Sequence, residues 1–217
     1  MKAITTTPAF RFLTSLRRPS KTSVTTLPRQ QEEPHEPLIF RETIYSDLSA
    51  LASLHVKTWN DTYPGVIQKP TYEVRESQWR KTFELDDDSW FCFVIENSKG
   101  QLIGFAKGKK YDEADLPDFS GELSKIYLAR EYQRMGLGRR LVGCVSRRFL
   151  SLGINSMVLF AESNNPSRKF YEALEGEKIG DPSNGTYGWH DLQHLASICP
   201  IGLNLAGLVV EKGLLKE

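Results

Sequence analysis

The sequence predicts an α+β fold, in which one mixed, mostly antiparallel sheet is flanked by helices. Two strand-like apolar runs, residues 89–96 and 101–108, are joined by a short turn that ends in Gly100, which is typical of a hairpin. Helical apolar spacing precedes the hairpin at residues 45–60 and 70–84, and further strands and helices alternate after it. The order β-α-α-β-β-β-α-β-α therefore combines hairpins with crossover connections in one sheet.

The individual elements rest on local signals. In the second helix, Val74, Trp79 and Phe83 share one apolar face, and the last predicted helix has Asn165 as its N-cap followed by proline. After that helix the sequence shows no clear hairpin. The remaining predicted elements are a first strand at 38–43, a strand at 121–128, a helix at 138–153, a strand at 156–161 and the last helix at 164–176.

Length and composition restrict the function classes. A chain of 217 residues is expected to hold one domain with a tail, at roughly 100–200 residues per domain. The net charge of +1 gives no reason to expect a nucleic-acid partner, and no apolar run is long enough to span a membrane. The three cysteines have no metal-ligand spacing and predict unpaired thiols in a reducing compartment.

Three segments follow from these patterns. Residues 1–37 are basic, rich in Ser and Thr and poor in apolar side chains. This composition predicts a disordered tail or a targeting peptide. The domain is expected at residues 38–200, and residues 201–217 form a C-terminal extension. The predicted location is cytoplasmic, or an organelle matrix if the tail is a targeting peptide.

A loop at residues 133–138, with the sequence QRMGLG, joins a strand to a helix and carries the main functional signal. The first N–H groups of a helix lack internal partners and lie at the positive end of the helix dipole, so an anion is stabilised there. Gly136 and Gly138 allow close backbone approach, and Arg134, Arg139 and Arg140 add positive charge nearby. Neither the dinucleotide-binding pattern G-x-G-x-x-G nor the Walker pattern fits this loop.

The loop and three other segments resemble the GCN5-related N-acetyltransferase (GNAT) superfamily, in particular one bacterial-type branch. The loop matches the superfamily's Q/R-x-x-G-x-G/A pattern, residues 121–128 are similar to its central strand, and residues 164–174 are similar to its Asn-…-Phe-Tyr-x-x-Leu segment. Residues 54–67 resemble its first-helix region. The resemblance implies the acyl-CoA N-acyltransferase fold, with acetyl-CoA as the acyl donor and no metal.

The resemblance also implies a set of donor-binding residues. The diphosphate of acetyl-CoA is expected on the loop and the pantetheine arm along the central strand, where the Leu128 N–H would polarise the thioester carbonyl. The residues implied in donor binding are Ile126, Tyr127, Leu128, Gln133, Arg134, Met135, Gly136, Leu137, Gly138, Arg139, Asn165 and Phe170.

Two residues are implied in catalysis. Tyr171 matches the superfamily's general-acid tyrosine, which protonates the departing thiolate, and Glu122 is the candidate base for the acceptor amine, directly or through water. The implied reaction is direct transfer to a primary amine of a small molecule or protein, in a ternary complex; a homodimer is possible. The alternative is a GNAT-like module that binds acyl-CoA without catalysis, which the atypical end of the domain favours.

Weaker signals remain beside this hypothesis. His190 and His194 have the spacing of a zinc-protease motif, but they are interpreted as a solvated helix face because the glutamate and a third ligand are missing. The acidic runs at 84–90 and 111–118 could attract a cationic acceptor, or simply be solvated loops. Trp59 and Tyr63 end the first helix, where they either line an acceptor groove or pack in the core.

Overall fold

The structure, a computed structural model, describes residues 37–85, 87–181 and 183–201. The expectations for the tail at 1–37 and the extension at 201–217 therefore lie almost wholly outside the described residues. The elements are β1 (Ile39–Glu42), α1 (Leu48–Thr62), α2 (Tyr72–Phe83), β2 (Trp90–Glu96), β3 (Leu102–Lys110), β4 (Gly121–Leu128), α3 (Leu137–Ser151), β5 (Met157–Ala161), α4 (Arg168–Glu172), β6 (Glu177–Lys178), β7 (Gly185–Trp189) and α5 (Leu192–Ile198), with 3-10 turns at Tyr45–Asp47 and Arg130–Tyr132.

The seven strands form one sheet in the order β1-β2-β3-β4-β5-β7-β6. The central pair β4–β5 is parallel and every other pair is antiparallel. The parallel pair arises because α3 carries the chain from the end of β4 back to the start of β5, as a crossover requires. The predicted mixed, mostly antiparallel sheet is confirmed.

Helices cover both faces of the sheet. The larger core lies on the α3 and α5 face, where Phe149 is fully buried and its ring centroid is 4.9 Å from that of Phe91. A Cβ at Gly108 would lie 2.4 Å from Phe91, so glycine lets these rings approach β3. The second core lies under α1 and α2, around Trp79 and Phe105. Within the described ranges, no helix has the length and apolar content to cross a bilayer.

Three local predictions are wrong. A hairpin does follow α4: β6 pairs with β7, and it escapes detection because β6 has two residues and β7 (GTYGW) has two glycines, which disfavour strands. The last predicted helix shortens to α4, because the Asn165 side chain accepts from Ser167 N at 2.8 Å in a turn before the helix. Val74 is 48% exposed and does not face the core.

Candidate active site

The main cleft lies where the two parallel strands separate. β4 and β5 pair at two positions, Gly121 with Met157 and Glu122 with Val158, and diverge beyond them. A cavity of about 1080 Å³ fills the gap. Residues 124–128 of β4, residues 159–161 of β5 and the following Glu162 line it. Trp59 and Tyr63 close it from the end of α1, and Tyr63 is also buried, so both interpretations of these aromatic residues stay open.

The register of β4 directs backbone groups into this cleft. Leu128 faces Gly104 on β3, and the N–H of the next residue, Ala129, donates to Ile103 O at 2.8 Å. In an antiparallel pair this bond makes Leu128–Gly104 a non-hydrogen-bonded pair, so the Leu128 N–H and C=O point away from β3. Ile126, two residues earlier, has the same orientation. The Leu128 carbonyl accepts from Gln133 Nε2 at 3.1 Å, which leaves the Leu128 N–H directed into the cleft.

The loop before α3 presents unpaired donors to the same cleft. Arg134 and Gly136 have φ values of 66° and 78°, and no side chain caps the helix at Gly136. In the described part of the chain, none of the backbone N–H groups of residues 134–139 donates a hydrogen bond. Unpaired N–H groups at the N-terminus of a 15-residue helix stabilise an anion. A Cβ at Gly136 would meet no atom within 4 Å, so the space in front of the loop is open.

The arginines beside the loop have different tasks. The Arg139 guanidinium donates to the carbonyls of Ile198 and Ala173, at 3.0 and 3.2 Å. Arg140 donates to Ile201 O at 3.1 Å and lies over the Phe40 ring. Both side chains therefore fasten α3 to neighbouring segments. Arg134 is exposed and lines the cleft. Unlike those of Arg139 and Arg140, its guanidinium forms no hydrogen bond to a neighbouring segment in the described residues.

Tyr171 lies on α4 at the cleft wall. It is 4% exposed and packs against the rings of Phe170 and Tyr187. Burial raises the pKa of its hydroxyl well above the ordinary value of 10.0, and the nearby Tyr63 adds to the rise. The hydroxyl therefore stays protonated across the working pH range, and it has no hydrogen-bond partner in the described ranges. Such a group donates a hydrogen bond to a ligand.

Tyr63 and Asn165 hold the opposite ends of the wall together. Asn165 Nδ2 donates to the Tyr63 hydroxyl at 3.1 Å, which ties the segment before α4 to the end of α1. The predicted N-cap residue thus stabilises the shape of the cleft.

The structure brings most of the predicted donor-binding residues into this cleft. Met135 and Leu137 are the exceptions, because Met135 is half exposed outside the lining and Leu137 is buried in the core. The residues that line the cleft are Ile126, Tyr127, Leu128, Gln133, Arg134, Gly136, Gly138, Arg139, Asn165 and Phe170, together with Tyr171.

Glu122 lies elsewhere. It is on β4 at the last position that pairs with β5, and its carboxylate forms an ion pair with Lys109 Nζ at 2.8 Å. It is absent from the cleft lining, whose described carboxylates are Asp61 and Glu162. The two histidines are also remote from the cleft: His190 precedes α5, and His194 Nε2 contacts Glu175 at 2.8 Å. The interpretation of both histidines as one helix face is wrong for His190.

Lys125 is a cleft residue that the sequence reading missed. It follows Ser124 in β4 and lines the cleft beside Ile126. A lysine in a central strand is unusual, since burial disfavours its charge. Its position in the strand was the available signal.

Comparison with known proteins agrees with this geometry. A model of the acetyltransferase (GNAT) family matches residues 51–176. The chain is 31% identical over 172 residues to the uncharacterized N-acetyltransferase YuaI of Bacillus subtilis (strain 168), covering 73% of this chain and 96% of that protein. It is 24% identical over 163 residues to phosphinothricin N-acetyltransferase of Streptomyces viridochromogenes, covering 72% of this chain and 85% of that protein.

Solved structures share the fold. The PaiA N-acetyltransferase of Thermoplasma acidophilum in complex with coenzyme A superposes with a TM-score of 0.54 at 20% identity, covering 70% of this chain and 98% of the other. The aminoglycoside N-acetyltransferase AAC(6')-Iy in complex with CoA gives 0.56 at 19% identity, with 71% and 94% covered. The family model spans more than half of the 217 residues, and the chain therefore belongs to the acetyltransferase (GNAT) family, as an acyltransferase of the N-acetyltransferase type.

Proposed function

We propose that the protein transfers the acetyl group of acetyl-CoA to a primary amine of a small molecule or protein, by direct attack of the amine in a ternary complex. The observation that carries the proposal is the row of unpaired N–H groups at residues 134–139, which opens onto the cleft between β4 and β5. Two proteins of similar fold are described as complexes with coenzyme A, which supports an acyl-CoA donor.

The cleft fits an elongated anionic donor. The N–H groups of residues 134–139 would hold the diphosphate, with no side chain at Gly136 to obstruct it. The pantetheine arm would pair with the backbone groups of Ile126 and the N–H of Leu128, which point away from β3. Phe170 and the Tyr63–Asn165 contact would form the opposite wall.

The same residues have consistent chemical roles. Acetyl-CoA supplies an activated acetyl thioester. The Leu128 N–H, which points into the cleft, would donate to the carbonyl oxygen that gains negative charge, and one such donor contributes about 3–4 kcal/mol in a dry site. The Tyr171 hydroxyl, held protonated by burial, would donate its proton to the thiolate sulfur as the thiolate leaves. The described cysteines are all buried, so direct transfer is favoured over an acyl-enzyme.

The acceptor amine must lose a proton before it attacks. Glu122 stays our candidate base only through intervening water, because its carboxylate is paired with Lys109 outside the cleft lining. Glu162 lines the cleft, and its charge adds to the rise that burial causes in the pKa of Tyr63 and of Tyr127. Glu162 is therefore the competing candidate.

The test is acetyl transfer by the Tyr171→Phe variant, measured by CoA release. We expect kcat to fall about 10–100-fold while the Kd for acetyl-CoA is unchanged, because the hydroxyl acts on the departing thiolate. The matched control is Tyr111→Phe, since the Tyr111 hydroxyl bonds to Asp115 at 2.6 Å, outside the cleft lining. An intact protein that binds no acetyl-CoA would refute the proposal.

The alternative is a module that binds acyl-CoA without catalysis. Its motivation was the apparent lack of a hairpin at the end of the domain, and the structure contains that hairpin as β6–β7. Acetyl-CoA binding with no transfer to any amine would favour this alternative.

A further inference from the structure

A second pocket lies on the other side of the β4 strand, under α1 and α2. Its volume is about 350 Å³. Four cationic side chains line it, and its described lining contains no carboxylate; the four are Arg75, Lys81, Lys107 and Lys125. Positive charge that is gathered in a concave site and not matched by acidic groups favours an anionic ligand.

The described protein groups leave this charge unbalanced. Arg75 Nη1 donates to the neutral Gln78 at 2.8 Å, and Lys107 Nζ donates to the neutral Thr82 hydroxyl at 3.3 Å. In the described ranges neither residue, nor Lys125, forms an ion pair. Glu122 is the acidic group that stabilises the charge of both lysines, but its carboxylate is already paired with Lys109.

The lysines are held in a costly environment. Burial, followed by the positive charge of Lys125, lowers the pKa of Lys107 to about 8. Burial and then the charge of Arg75 also lower the pKa of Lys125. Cations that are desolvated and placed beside each other are stabilised when an anion binds between them.

Three residues that line the same pocket carry buried nitrogens without partners in the described ranges. His55 Nδ1, Arg75 Nε and Trp79 Nε1 are buried, and none has a hydrogen-bond partner in the part of the chain that the structure describes. His55 and Trp79 are each only 2% exposed. Because most buried polar atoms in proteins are paired, three unpaired nitrogens on residues that line one pocket favour a polar ligand beside them.

The pocket adjoins the acetyl-CoA cleft. Lys125 lines both cavities. The Arg75 guanidinium lies 6.0 Å from the ring centroid of Trp59, which lines the cleft. A small molecule that places an anionic group among these cations therefore has its other end at the cleft wall.

From this arrangement we infer that the acceptor amine carries an oxyanion of its own, a carboxylate or a phosphorus oxyanion, which the pocket binds through Arg75, Lys107 and Lys125. The inference rests on the proposed acetyl transfer and names the substrate class of that site. Purely cationic acceptors such as polyamines are disfavoured, because they would bring like charge to the pocket.

Matched pairs of acceptors test the inference. One arm compares amino acids with their decarboxylated amines, and the other compares aminoalkylphosphonates with alkylamines, using CoA release by the full chain. We expect kcat/KM to be at least about tenfold higher for the anionic member of a pair in one arm or both. The other member lacks the group that would pair with the cationic side chains of the pocket. The arm with the larger ratio identifies the oxyanion.

Variants of the pocket residues test whether the basic pocket causes the preference for anionic acceptors. Arg75→Gln and Lys107→Gln should each raise the acceptor KM about tenfold or more, while the Kd for acetyl-CoA changes less than about twofold. Arg80→Gln is the matched control, because Arg80 is on the same helix but is exposed and paired with Glu76. Thermal unfolding of each variant shows whether it is folded.

The outcomes separate this inference from the proposed function. Equal kcat/KM for charged and uncharged amines overturns the inference, and so does a loss of acetyl-CoA affinity in the Arg75 and Lys107 variants with no change in acceptor KM. A protein that binds acetyl-CoA but acetylates none of the anionic amines also overturns it. Failure to bind acetyl-CoA refutes the proposed function itself, and the inference with it.

Discussion

Replacement of Gly136 by alanine separates the role of the loop in binding from its role in folding. Gly136 precedes α3 with φ of +78°, and a Cβ there would meet no atom within 4 Å. The substitution therefore creates no clash inside the protein. Its effects are backbone strain and a methyl group in the open space where the proposed diphosphate lies.

Gly153 provides a matched control. It follows the other end of the same helix with φ of +76°, and its added Cβ also meets no atom within 4 Å. In the left-handed region an L-residue costs about 1–2 kcal/mol relative to glycine. Both variants should therefore lose about 1–2 kcal/mol of unfolding free energy, or a few °C in Tm for a domain of this size.

Acetyl-CoA affinity should distinguish the two variants. We expect the Kd to rise at least about tenfold, or about 1.4 kcal/mol, for Gly136→Ala and to stay within about twofold for Gly153→Ala. Isothermal titration calorimetry measures both values, and thermal unfolding measures the strain. If the two variants bind acetyl-CoA equally well, the diphosphate does not approach Gly136 and the proposed binding mode is refuted.

Three further predictions follow from buried and paired groups. Denaturant titrations should show that wild type gains about 3 kcal/mol of unfolding free energy relative to Lys107→Met between pH 7 and 10.5. The reason is that the folded state releases the Lys107 proton near pH 8 and the unfolded state near 10.5. Parallel curves of stability against pH for the two proteins would contradict this. pH–rate profiles of Glu122→Gln and Glu162→Gln identify the base. If one variant loses the acidic limb of the profile, the glutamate replaced in it is the base, and if both profiles are unchanged, neither glutamate is the base. For Phe149→Ala, the cavity left in the main core should cost about 3–5 kcal/mol by urea unfolding; a loss below about 1 kcal/mol would show that the core collapses around it.

Much of the fold could be predicted because its signals are local. The hairpin turn at Gly100 and the apolar faces of α1 and α3 lie within short windows, and β2–β3 and both helices form where expected. The hairpin β6–β7 could not be predicted, because a two-residue strand has no alternation to detect and is held by pairing with β7.

The candidate site also has some features that local sequence predicts and others that depend on tertiary structure. The sequence by itself determined the loop at residues 133–138, its glycines and the position of Tyr171, because a helix N-terminus and a motif are contiguous in the chain. Only the tertiary structure decided that β4 and β5 diverge to open the cleft, and that Glu122 pairs with Lys109.

The basic pocket depended on tertiary structure entirely. His55, Arg75, Lys107 and Lys125 come from α1, α2, β3 and β4, and no single segment of the sequence contains more than one of them. Their charges combine only when the sheet and the two helices pack together, since electrostatic interaction depends on distance in space and on burial. The chain therefore specifies its family and the proposed donor site through local sequence, and the basic pocket that we propose for the acceptor through contacts between distant residues.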